Sequence, residues 1–346
     1  MKSTNKKRFS LPTYVDNLNV RLDENYKVKV ARVRISEWAW RIVRFVLLVG
    51  LSFIMLYPLL YMLSMTFRPI PQVLDPTVIW IPRSLTMDNL IYVMERMDYV
   101  TAVWMTIYLS LGSALILVVV CGITGYGFAR YNFPFKNLLF AFLLFTIIIP
   151  PQTFIIPMFL MNTRFDYFWI GGLIIRGINR VAGTEFAYAT NILGTAWVFY
   201  IPAIFGAGIR SGLLIYIYRQ FFSNMPRELE EAAYIDGAGP LRTFISVMVP
   251  NAKPAIVTVF LFSIVWYWND YFYAGTMLMR VHSTVSVRLS TLGALLMGGD
   301  MAQFDPIAFS VYLQAGSFLT ILPPLLLYLV FQRHFTESIE RSGIVG

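Results

Sequence analysis

From Tyr99 to Ala129 the chain runs without one charged side chain. A bilayer core is crossed by a helix of roughly 20 apolar residues, so a run of this length marks a membrane segment. Comparable runs recur, and six spans are expected: about 45–66, one within 99–129, about 138–161, about 194–218, about 254–276 and about 308–332. Composition agrees. Hydrophobic residues make up 57% of the 346 and charged residues 14%, against about 25% charged in an ordinary soluble domain. The expectation is an all-α integral membrane protein.

The formal charge of +9 is concentrated at one end. Residues 1–44 hold eleven Lys or Arg against Asp16, Asp23, Glu24 and Glu37. Such a tail beside a first span reads as a topology signal and a contact for acidic membrane lipid, in preference to a nucleic-acid site. With the N-terminus inside, the cytoplasmic segments hold 19 basic residues and the outer loops eight. That bias places both termini in the cytoplasm. The first long apolar run begins only near Phe45, so no cleaved signal peptide is expected and that run is an anchor. The single cysteine, Cys121, lies within an apolar run and reads as a small buried hydrophobe.

The expected organisation follows the spans. Residues 1–44 form a basic tail, mobile over 1–35 with a short extended piece near Val28–Ile35, then an interfacial helix from Ser36 bearing Trp38 and Trp40. After the first span at 45–66 comes an outer loop, 67–100, proline-rich and then helical from Met87. A core of five spans, 101–332, contains an extended outer loop at 163–192 and a cytoplasmic loop at 219–253. Residues 280–306 close the outer face, with a turn at Gly298–Asp300. A tail, 333–346, ends the chain. Pro58, Pro157, Pro202, Pro323 and Pro324 fall inside spans, where neighbouring helices can satisfy the freed carbonyls. Gly122, Gly125 and Gly127 suit close helix packing.

The loop at 219–253 carries Glu228, Glu230, Glu231 and Asp236 beside Arg219, Arg227 and Arg242. Ser223 or Asn224 is the expected cap of a short helix, Pro226 belongs to its first turn, and Gly237 supplies a left-handed stop. Gly239-Pro240 starts a second helix, which Pro250 is expected to break. Glu231-Ala232-Ala233, then Gly237, then Val247-Met248-Val249-Pro250 resembles the EAA loop of ABC importer permeases, with Val247 and Val249 where that family usually has Ile and Leu. Pro226 to Asp236, together with Trp266-Tyr-Trp-Asn-Asp270, is similar to the carbohydrate-importer permeases of the maltose-permease type, and the likeness runs from about Phe45 to the C-terminus.

The resemblance implies a type-1 ABC importer permease bundle of six transmembrane helices in a bacterial inner membrane. It also implies a set of partners: a second homologous permease subunit, two cytoplasmic ATPase subunits that bind ATP and Mg, and an extracytoplasmic solute-binding protein facing the 67–100 loop. Glu231, Ala232, Ala233, Asp236, Gly237 and Pro250 are then the residues of an ATPase-coupling loop, and no cofactor belongs to this chain. Relative to that family the 163–192 connection is extended by around twenty residues, with Gly171-Gly172, Arg176, Arg180, Gly183 and Glu185 in it; it reads as an elaboration touching the binding protein or partner permease, or as a plain surface insertion. Without the resemblance, the 219–253 loop reads as a solvated amphipathic connector.

Arg210 is a charge within a span, where insertion costs about 3 kcal/mol. It faces the translocation path or subunit interface, or else snorkels. Asp270 is the obvious partner, but helix rise separates the two by about 12 Å in depth, beyond comfortable reach for one arginine. Trp266, Trp268, Asn269 and Asp270 form an aromatic and polar cluster that suits sugar stacking and hydroxyl recognition, or an interfacial belt. Other activities find little support. The chain lacks a Gly-x-x-x-x-Gly-Lys-Ser/Thr phosphate loop. Its two histidines, His282 and His334, lie outside the apolar runs, and no nucleophile–base set or metal-spaced cluster occurs. The remaining alternative is a stand-alone secondary transporter or channel, for which ionisable sites at mid-membrane and an internal repeat would be expected.

Overall fold

The computed structural model describes residues 24–78, 80–165, 170–183, 191–279, 283–297 and 305–343, with side chains outside the description at 24–36, 170–173 and 333–343. Among these residues the secondary structure is helical throughout, with no strand. Most of the N-terminal tail, the turn at Gly298–Asp300, Glu185 and His282 lie outside them, as does the His334 side chain. Residues 1–61 and 62–346 are two separate units.

Helix α1, Glu24–Thr66, is continuous for 43 residues. It corrects two expectations, because residues 24–35 are neither extended nor an irregular tail and no break separates them from the span. Three helices are long and apolar enough to cross a membrane: Glu37–Thr66 within α1, Tyr99–Arg130, and Pro306–Gln332. Two bent pairs raise the number to five.

In the second unit, the 67–100 loop contains α2, Asp88–Arg96, which begins where Thr86 and Asp88 exchange hydrogen bonds. Helix α3, Tyr99–Arg130, follows. The expected third span is not one rod. α4, Lys136–Ile148, and α5, Ile155–Thr163, meet at 99°. The cause is Pro150-Pro151: a residue before proline is driven out of the helical region, and Ile149 adopts φ −71°, ψ 125°. The extended outer connection contains α6, Ile170–Ala182.

The expected fourth span is also interrupted. α7, Trp197–Ile204, and α8, Ser211–Asn224, flank a non-helical stretch at 205–210. Gly206 (φ +69°) and Arg210 (φ +56°) are both left-handed there. Each half is too short to cross about 30 Å of hydrocarbon at 1.5 Å per residue.

Three short helices form the 219–253 loop: α9, Glu228–Ile235; α10, Pro240–Thr243; and α11, Val249–Asn251. A π-helical turn, Phe244–Met248, joins the last two. Pro250 therefore lies inside a helix, contrary to expectation. The wider turn before it accommodates a residue with no N–H to donate, and the Asn251 side-chain amide donates to the Val247 carbonyl at 2.7 Å. The break falls instead at Ala252, where the chain bends by 77° into α12, Lys253–Asn269. The fifth span thus ends earlier than expected, and α13, Phe272–Met277, is separate. α14, Val285–Met297, and α15, Pro306–Gly343, complete the chain.

α3 packs along α8 and α12, with Leu117, Cys121, Leu214 and Val259 almost fully buried between them. A second cluster joins α2, α14 and α15 through Val93, Met97, Leu292 and Ala315. In a membrane such apolar contacts gain little from leaving lipid, so close fit and cross-helix hydrogen bonds carry more of the specificity. A Cβ at Gly125 would sit 2.5 Å from the Tyr218 Cβ, so α3 and α8 touch backbone to side chain there. Gly122 is in ordinary contact and Gly127 has open space. Only the middle glycine of the three is required by packing.

Candidate functional site

The acidic loop folds into a knob. α9 carries Glu228, Glu230 and Glu231 in its first turn, where the dipole favours carboxylates. Its N-cap is Arg227, with no side-chain cap, while Ser223 and Asn224 finish α8. The sequence expectation of a Ser or Asn cap is therefore corrected: the extended Met225 and the proline after it start α9 later. The far end follows the expected chemistry. Gly237 takes φ +78°, its N–H donates to the Tyr234 carbonyl at 3.0 Å, and the Ala238 N–H reaches back to Ala233 at 2.9 Å. That pair of bonds is the Schellman stop. Gly239, extended, then turns the chain into Pro240 at the first position of α10.

The knob has two faces. Ala233, Thr243 and Met248 are buried against the bundle. So is Glu230, whose carboxylate accepts from the Tyr126 hydroxyl at 2.6 Å and lies 3.2 Å from Arg130 Nε. Arg130 also donates to the Met225 carbonyl at 2.8 Å. The Tyr126 ring packs against Phe222 and Phe244. The opposite face is open. Glu231, Ala232 and Asp236 are exposed, as are Ile235 at 86%, Leu241 at 71% and Ile245 at 56%. Three large apolar side chains thus stand exposed in an otherwise polar loop. Pro250 is exposed on α11. The Tyr234 phenol is pushed up from its ordinary value by desolvation and then by Tyr131 and the Glu230 carboxylate, so it stays neutral.

Sequence reasoning gathered Glu231, Ala232, Ala233, Asp236 and Gly237 and passed over Glu230, Tyr126 and Arg130. In sequence, Arg130 is simply one of the 19 basic residues of the topology bias. The available signal was the Glu230-Glu231 pair itself, since adjacent helical residues point about 100° apart and can fall on different faces.

The second candidate cluster separates into structural and open residues. Trp268 is buried; its indole N–H donates to the Thr320 carbonyl at 3.0 Å and its own carbonyl accepts from Ser286. The Asp270 carboxylate accepts from the backbone N–H groups of Tyr273 at 3.2 Å and Ala274 at 2.8 Å, which starts α13. Arg210 meets a ring: its guanidinium carbon is 5.0 Å from the Trp266 centroid. Beside it, the Ile209 N–H donates to the Tyr267 hydroxyl at 3.1 Å, holding the interruption between α7 and α8 against α12. Arg210 and Asn269 are exposed and Trp266 is half-buried.

The described residues thus form a bundle of apolar helices, three of them long enough to cross a membrane, with a capped knob between α8 and α12. The profile of the binding-protein-dependent transport system inner membrane component family matches residues 118–340, and the chain belongs to that family. It is therefore an integral membrane subunit of a transport system, not an enzyme. Relatives include the arabinooligosaccharides transport system permease protein AraQ of Halalkalibacterium halodurans, 25% identical over 86% of this chain and 93% of that one. Another is the melibiose/raffinose/stachyose import permease protein MelC of Bacillus subtilis, 28% identical over 77% and 84%. The same helical fold occurs in the crystal structure of a bacterial ABC transporter involved in the import of the acidic polysaccharide alginate. That likeness has TM-score 0.64 at 21% identity, covering 87% of this chain and 98% of that one.

Proposed function

We propose that the chain is the transmembrane subunit of an ATP-driven importer for a sugar or oligosaccharide in a bacterial inner membrane. It crosses six times with both termini in the cytoplasm, the interrupted α4–α5 and α7–α8 segments each counting as one span. It forms half of the translocation path, paired with a second, homologous permease. The assembly carries two ATPase subunits holding ATP and Mg, one of which docks on the α9–α10 knob of this chain, and an extracytoplasmic solute-binding protein delivers substrate to the outer loops. The observation that carries this reading is the open face of the knob, where Glu231 stands beside Ile235 and Leu241. Closure of the ATPases moves the knob, and the helices follow to alternate access. Supporting the substrate class are the names of several relatives, which include an arabinooligosaccharide, a melibiose/raffinose/stachyose and a trehalose permease. Arg210, Trp266 and Asn269 line the path in this reading, and the α6 elaboration meets the binding protein or partner permease.

The test is co-purification. The detergent-solubilised protein brings down a soluble ATPase, and Glu231→Lys abolishes that association while leaving the permease in the membrane. Unchanged recovery of the ATPase with Glu231→Lys, or transport with no ATPase present, contradicts the reading. A binding screen on the partner solute-binding protein then names the cargo.

A further inference from the structure

The docking face explains how a partner is gripped, but not how its motion enters the bundle. α9 has covalent continuity with α8 through Met225–Arg227 and with α12 through Gly237, the π turn and the bend at Ala252. Each of these joints is a place where the chain can flex. The Gly237 joint in particular has open space around the Cα. A third connection runs through side chains alone. The Glu230 carboxylate reaches across to Tyr126 and Arg130, one turn apart at the cytoplasmic end of α3.

This connection is dry. Tyr126 is 4% exposed, and the Arg130 and Glu230 side chains are 7% and 11% exposed. A buried carboxylate that loses its partners leaves an uncompensated charge, so such pairs hold their geometry firmly even where they add little net stability. The surroundings allow little play. Tyr126 is wedged between Phe222 at the end of α8 and Phe244 in the π turn, with ring centroids 5.3 and 4.7 Å away. Arg130 is pinned at the same time by the Met225 carbonyl. α3 is also the helix against which both α8 and α12 pack.

We propose that Glu230 is the positioning residue that makes α9 and α3 one rigid lever, so that movement of a partner on the knob is delivered into α3 and through it to the packed helices. This rests on the reading of the knob as an ATPase-docking element. Glu231 faces outward and belongs to docking; Glu230, one residue earlier, faces inward and belongs to transmission. The two functions divide along the two faces of one helix.

The experiment uses the assembled transporter in proteoliposomes with its ATPase and binding protein. Glu230→Gln removes the charge while keeping size and an acceptor for Tyr126, and Tyr126→Phe removes only the hydroxyl. Both are expected to co-purify with the ATPase and hydrolyse ATP, while substrate uptake falls roughly tenfold and ATP consumed per substrate rises, within the range of site-to-site coupling energies. A role in folding alone would lower the yield of assembled transporter and leave ATP consumed per substrate at its ordinary value, so the ratio separates transmission from stability. If both single variants keep the ordinary ratio of ATP to substrate, the lever is overturned. It is equally overturned if Glu230→Gln loses the ATPase, because Glu230 then belongs to docking. Absence of any ATPase on the unaltered protein would instead overturn the docking reading.

Discussion

The Arg210 guanidinium lies 5.0 Å from the centre of the Trp266 ring, linking the interruption between α7 and α8 to α12. A charge inside an apolar segment is tolerated when it faces a cavity or a partner group, and the electron-rich ring supplies one. Trp266→Ala removes the ring and should cost the purified protein roughly 0.5–1 kcal/mol for the pairing itself, the worth of such a contact when the cation is exposed. Trp266→Phe should recover part of that loss. The thermal unfolding midpoint of the detergent-solubilised protein measures both, and an unchanged midpoint for the alanine variant would mean that the pairing carries no energy.

Gly237 is required by its backbone and not by its surroundings. Its φ is +78° and a Cβ there would meet nothing within 4 Å. A β-branched residue should therefore cost about 1–2 kcal/mol through the left-handed conformation alone. Gly237→Val should insert normally but lose coupling between ATP hydrolysis and uptake, whereas Gly237→Asn, which tolerates this conformation better, should lose much less. Equal uptake by the valine variant and the parent would show that the angle at this joint does not matter.

Gly125 is the opposite case. The space is filled by Tyr218, so Gly125→Leu must push α3 from α8 and should cost about 1–3 kcal/mol, as overpacking usually does. Gly127→Leu, two residues away in open space, should be close to neutral. Comparing yields and unfolding midpoints of the two variants separates packing from helix propensity.

Trp268 offers a smaller effect. Its indole N–H bond to the Thr320 carbonyl joins α12 to α15. Trp268→Phe, which keeps most of the ring, should cost about 0.6 kcal/mol for the lost bond plus a share for the smaller ring. Uptake by the intact variant should remain near that of the parent, since the residue faces the interior and not the path. A large loss of uptake with an unchanged midpoint would assign Trp268 to substrate.

What was legible in the sequence follows from what is local. Gly237 announced its own conformation, because glycine enters left-handed backbone readily and the helix pattern stopped there. Gly239-Pro240 marked the next helix for the same kind of reason. The long apolar runs announced membrane helices, but not their continuity. Pro150-Pro151 stood in plain view inside a run read as a single span, and hydropathy passes over a bend that backbone sterics enforce. The interruption at 205–210 needed Gly206 and Gly208 to be weighed against the Tyr267 hydroxyl, which lies 58 residues from the Ile209 N–H it accepts. Glu230 was hidden by a question of phase: which of two adjacent carboxylates turns inward depends on where α9 sits against α3, and no local pattern fixes that. Arg210 reads in sequence as a charge within an apolar run, but its aromatic partner depends on how two helices cross.

The outward face of the knob can be tested with one probe. Ile235, at 86% exposure, is replaced by cysteine in a chain whose Cys121 has been changed to serine, and a membrane-impermeant maleimide is applied to vesicles of either orientation, with and without the ATPase. Modification from the cytoplasmic side alone, and protection when the ATPase is bound, is the expected result. Modification from the outer side alone, or labelling that the ATPase leaves untouched, would contradict the docking of a cytoplasmic motor on this helix.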